Sequence, residues 1–81
     1  MTKTEQIKHV TKSVIAFMEA LGYEVIGDEL GSLIFSNGKG TSDDYIDYHR
    51  SYQDVTVLPW SSEKAKDVAN KLEQFIKLIK Q

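Results

Sequence analysis

Asp43-Asp44-Tyr45-Ile46-Asp47-Tyr48-His49-Arg50-Ser51-Tyr52 is the segment on which the fold turns. Read with period two, Tyr45, Asp47 and His49 face one way and Ile46 and Tyr48 the other. Read as a helix, Ser42 caps it and Tyr45, Tyr48, His49 and Tyr52 share a face. The Tyr and Ile content suits a sheet, so the strand is preferred. On that reading the sheet gains a fourth strand.

Around this segment the forty residues of the middle read as β. Tyr23-Glu24-Val25-Ile26 makes a short strand, followed by a turn at Asp28–Gly31. Ser32-Leu33-Ile34-Phe35-Ser36 makes a second. Asn37-Gly38 is the strongest short turn signal in the chain, and Gly38-Lys39-Gly40 reads as a hairpin tip. Val55-Thr56-Val57-Leu58 makes another strand, ended by Pro59.

Both ends read as amphipathic helices. Over residues 4–21, Ile7, Val10, Val14, Phe17, Met18 and Leu21 recur at three- and four-residue spacing. Thr2 with Glu5 fits a capping box, and Gly22 a C-terminal stop. Over residues 61–79 the stripe is Ala65, Val68, Ala69, Leu72, Phe75, Ile76 and Ile79. Ser61 or Ser62 can cap that helix, and Lys77 and Lys80 suit its negative C-terminal end. Trp60, just before the caps, reads as an apolar staple under the first turn.

The expected fold is therefore α+β, in the order α-β-β-(β)-β-α, with two helices on one face of a small antiparallel sheet. The whole chain, residues 1–81, reads as one domain. The two stripes with Val25, Leu33, Phe35, Val55 and Val57 would form the core. Glu24, Tyr45, Asp47, His49, Asp54 and Thr56 would line the other sheet face. At this size a chain buries only about 60–65% of its unfolded surface, so a homodimer is also compatible.

Composition excludes whole classes of chemistry. There is no cysteine, hence no disulfide framework, cysteine-ligated zinc or thiol nucleophile. No apolar run approaches a membrane span, and Met1–Gln6 lacks the apolar core of a signal peptide. A cytoplasmic, soluble protein without cofactor or metal is expected. No Gly-rich phosphate loop or nucleophile elbow is present, so enzymatic activity is not expected. His9 reads as exposed, while His49 could pair with Asp47 or Asp54 as a base–carboxylate couple. Asp43-Asp44-Tyr45-Ile46-Asp47 has the D-D-x-x-D spacing that binds magnesium on the helices of prenyl-transferring enzymes. That chemistry needs a large all-helical cavity, so the string reads here as a solvated acidic loop.

Charge is segregated along the chain. Residues 1–18 carry three lysines against Glu5. Residues 19–63 carry nine acids against Lys39 and Arg50, a local balance of −7. Residues 64–81 carry five lysines against Asp67 and Glu73. All four tyrosines fall within the acidic middle, and three of them, Tyr45, Tyr48 and Tyr52, lie within eight residues. Tyrosine is enriched in binding surfaces because it offers rigid area with a polar tip. The expected site is a partner-binding face of Glu24, Asp28, Glu29, Asp43, Asp44, Tyr45, Asp47, Tyr48, Tyr52 and Asp54. Its partner would be basic, in the sharpest form a nucleic-acid-binding protein blocked by a DNA mimic. Small phage-encoded inhibitors are alike in size and charge.

The alternative is nucleic-acid binding by the helices. The layout resembles that of double-stranded-RNA-binding domains, whose second helix opens Ser-Lys-Lys-x-Ala-Lys-x-x-Ala-Ala. Ser61, Ala65, Lys66 and Ala69 match that pattern over about ten residues, whereas Ser62 and Glu63 stand where the adjacent lysines would be. The resemblance implies a similar layout, and the helix spacing separately sets Lys8 and Lys12 one turn apart, with Lys64, Lys71 and Lys80 as a second basic line that could contact phosphates.

Overall fold

In a computed structural model that describes residues 2–38 and 41–80, helix α1 (Lys3–Ala20) leads into four strands. These are β1 (Glu24–Glu29), β2 (Ser32–Ser36), β3 (Ile46–His49) and β4 (Asp54–Val57). Helix α2 (Glu63–Ile79) closes the chain. The strands form one antiparallel sheet in the order β1-β2-β3-β4. The α+β architecture, with two helices on a small sheet, is the one expected.

Local chemistry sets the helix ends. The Thr2 hydroxyl accepts the Glu5 N–H at 3.1 Å and starts α1. At its other end Gly22 takes φ 88°. The Gly22 N–H then donates to Glu19 O at 3.0 Å, and the Tyr23 N–H to Met18 O at 2.9 Å. This is a Schellman turn, and the buried pair Met18 and Tyr23 is its customary apolar contact. Ser62, not Ser61, caps α2 by accepting the Ala65 N–H at 3.1 Å.

Period-two alternation sorts the sheet into two faces. Phe35, Ile46 and Val57 lie abreast, as do Leu33, Tyr48 and Val55, and both rows face the helices. Against them pack Val10, Val14 and Met18 of α1 and Ala65, Val68, Ala69, Leu72 and Ile76 of α2. Phe17 and Phe75 join the helices directly, with stacked rings 4.5 Å apart. On the opposite face Ile34, Asp47 and Thr56 lie abreast, as do Ser32, His49 and Asp54. Both helices pack on the other side, so no element among the described residues covers this face.

Several expectations change. Val25, expected in the core, is 40% exposed. It sits on the edge strand beside a β-bulge at Ile26, which turns the edge away from the helices. Leu21, expected on the apolar stripe, is exposed because α1 has already ended. The segment 43–52 is a composite. Ser42–Asp44 forms one 3₁₀ turn, Ile46–His49 is the expected strand, and residues 50–53 turn back to β4. Asn37-Gly38 does not form a two-residue hairpin, since β3 begins only at Ile46. The residues immediately after it offer no apolar alternation to pair with β2, whereas Ile46 and Tyr48 do. Lys39 and Gly40 of the expected tip lie outside the described residues.

Candidate functional site

The two hairpin turns at one end of the sheet lie side by side. The β1–β2 connection is only Leu30-Gly31, both at positive φ (51° and 83°), the signature of a type I′ turn. Such turns favour Asn-Gly, because a side chain with Cβ is strained there by about 1 kcal/mol or more. The β3–β4 connection, residues 50–53, ends on Gln53, also left-handed at φ 57°. Among the described residues, Leu30 and Gln53 are the two non-glycine positions of positive φ.

Arg50 locks the turns together. Its N–H and its Nε–H both donate to Gly31 O, at 3.0 and 3.3 Å. Its guanidinium grips the Asp28 carboxylate through both oxygens, at 2.9 and 3.1 Å. This fork-to-fork geometry is the strong form of an ion pair, although solvent around Asp28 weakens it. His49 stacks on Tyr52 with ring centroids 4.6 Å apart, and its Nδ1 accepts the Tyr52 N–H at 3.4 Å. The expected His49–carboxylate couple is therefore not formed. Asp54 lies across from His49 in register, but the imidazole is engaged by Tyr52.

The ten residues expected to bind a partner divide by place. Asp28, Glu29, Tyr52 and Asp54 gather at this end, all exposed. Glu24 is exposed at the far end of β1, and Tyr45 and Asp47 are half-buried on the uncovered face. Two residues are interior and cannot touch a partner directly. Tyr48 is 0% exposed, because period two turns it toward the helices with Ile46. Asp44 is 3% exposed and accepts the Thr41 hydroxyl at 3.3 Å. The acidic string is thus no solvated loop. Asp43, half-buried, holds the start of α2 by accepting the Ser62 N–H on its carbonyl at 2.9 Å. Trp60 is no buried staple either. It is 62% exposed and donates its indole N–H to Ser42 Oγ at 3.1 Å, fastening the 3₁₀ turn to the α2 lead-in.

Two tyrosine hydroxyls are held in their protonated form. Burial raises the pKa of Tyr23, and the nearby Asp44 carboxylate adds to the rise. Burial also raises that of Tyr48, partly offset by the Thr11 side chain. Neither is a surface group able to recognise a ligand.

Sequence reasoning placed only a turn at Asp28–Gly31 and missed Leu30. A signal was present: leucine precedes glycine between two strands where asparagine is the usual residue. A groove of about 490 Å³ also opens between β4 and the end of α2, where Asp54 and Glu73 face Lys77 and Lys80. Its charges nearly balance, so it selects neither anion nor cation. Among the described residues no cluster of His, Asp and Glu could hold a metal, and no helix is long and apolar enough to cross a membrane. No family model, curated protein or solved structure matches this chain.

Proposed function

We propose that this protein is a non-enzymatic binding module that docks on a basic protein through the uncovered side and turn end of its sheet. The observation behind this reading is the sorting of charge between layers. Glu24, Glu29 and Asp54 are exposed on the sheet and make no ion pair among the described residues, although Asp54 shares a groove with Lys77 and Lys80 at the end of α2. The exposed lysines Lys8, Lys12, Lys64 and Lys71 stand on the helices instead, Lys71 paired with Asp67 at 3.1 Å. Such an arrangement presents one sign of charge to an approaching partner and steers its association. A DNA mimic is the narrowest form of this reading. Burial of Asp44 and pairing of Asp28 thin the carboxylate array, so the broader form, a basic protein partner, is the better supported.

The test is affinity capture with the tagged protein under nuclease treatment and across a salt series. The reading expects a basic protein, bound at low salt and lost as salt shortens the Debye length from about 10 Å to about 3 Å. The variant carrying Glu24→Gln, Glu29→Gln and Asp54→Asn should associate at least about tenfold more slowly. Recovery of nucleic acid that disappears with nuclease would instead assign binding to the lysine-bearing helices.

A further inference from the structure

The turn end of the sheet combines three features that packing does not require. First, Leu30 and Tyr52 are the most exposed large apolar side chains among the described residues, at 98% and 76%. Second, backbone strain among non-glycine residues gathers in their two turns, at Leu30 itself and at Gln53, next to Tyr52. A leucine that is fully exposed gains nothing from the fold, and asparagine or glycine at position 30 would relieve the strain. Strain held without a structural return is the mark of a position kept for another purpose. Third, the end is braced. Arg50 holds the Gly31 carbonyl and Asp28, and His49 carries the Tyr52 ring while its own edge lies 3.7 Å from where a Gly31 Cβ would stand. A prearranged apolar tip loses little freedom on docking.

The geometry points to Leu30 and Tyr52 as a rigid two-pronged anchor that inserts into an apolar pocket with a cationic rim on a partner protein. The rim chemistry follows from the charges beside the prongs. Arg50 is consumed by Asp28, which leaves Glu29 beside Leu30 as an exposed carboxylate in no ion pair among the described residues, while Asp54, on the Tyr52 side, shares its groove with Lys77 and Lys80. Lysine or arginine at the pocket rim on the Leu30 side would meet Glu29, while the pocket floor takes the leucine and the tyrosine ring. This inference rests on the protein-binding reading above and names the part of the surface that holds the partner.

The test has two parts. Leu30→Asn should raise the thermal midpoint of the free protein by about 4 °C or more, since asparagine tolerates the left-handed turn. No rise would remove the strain argument and overturn the proposal. In the second part a photo-cross-linking residue replaces Leu30 in the full-length protein in its own cells, with Ala16 on α1 as the control position. A protein cross-linked from 30 and not from 16 is purified and used as the binding probe. It should bind Leu30→Asn and Tyr52→Ser at least tenfold more weakly than wild type. Glu29→Gln with Asp54→Asn should weaken binding more at low salt than at high salt. Unchanged binding by Leu30→Asn and Tyr52→Ser would overturn the anchor, and a loss confined to the charge variant would leave the acidic-surface reading standing. Unchanged binding by all variants would sink both. Absence of any cross-link from position 30, or one only to a second copy of this chain, also overturns the anchor.

Discussion

Arg50 shows how much one side chain can organise at a surface. It joins β1, the first turn and the β3–β4 connection through three separate groups. Arg50→Ala should cost about 1 kcal/mol and raise amide exchange at residues 28–32 selectively, read by hydrogen exchange. Equal exchange across the sheet would show that the turn holds without the brace. Tyr23 and Tyr48 give a second prediction at this scale. Each folded hydroxyl holds its proton more tightly than in the unfolded chain. Its contribution is intact below the unfolded tyrosine pKa of about 10 and fades as pH rises through the higher folded value. Urea midpoints should therefore be insensitive to these groups at neutral pH and fall above about pH 10. Tyr48→Phe should blunt that fall without shifting the neutral midpoint greatly, because the hydroxyl is buried and the ring does the packing.

The helices depend on their ends as well as on their stripes. A Cβ added at Gly22 would meet nothing within 4 Å, so Gly22→Ala causes no clash. Its cost is conformational only and should reach about 1 kcal/mol, because φ is 88°. Ser62→Ala should cost about the same by freeing the Ala65 N–H. The two would be compared in chemical denaturation. At the strand scale, the alternation Ile46 in, Asp47 out, Tyr48 in was legible from period two, and so was the face it created. The 3₁₀ turn at Ser42–Asp44 was not. Its own turn bonds are local, Asp44 N–H to Thr41 O and Tyr45 N–H to Ser42 O, but the bonds that fix it in place run to neighbours distant in sequence: Asp43 O to the Ser62 N–H and Ser42 Oγ to the Trp60 indole. No local pattern announces such partners.

For the molecule as a whole, one layer of helices on one face of the sheet leaves the other face open. Leu72 is fully buried where α2 meets the core, so Leu72→Ala should cost about 2–5 kcal/mol in a denaturation series. A cost below about 1 kcal/mol would mean that the helix layer is not seated as described.

What the sequence determined by itself was periodicity: two 3.6-residue stripes, alternating strands between them, the cap at Thr2, a second cap at Ser61 or Ser62, and the stop at Gly22. These rest on contacts between near neighbours, which a linear pattern records directly. It also showed the acidic middle, but not which acids remain at the surface. Only the tertiary structure buried Asp44, paired Asp28 with Arg50 across 22 positions and exposed Trp60. It alone brought Leu30 and Tyr52 to the same end of the sheet. Exposure and pairing are set by strand register and by the covering layer, and these join residues that the chain keeps far apart.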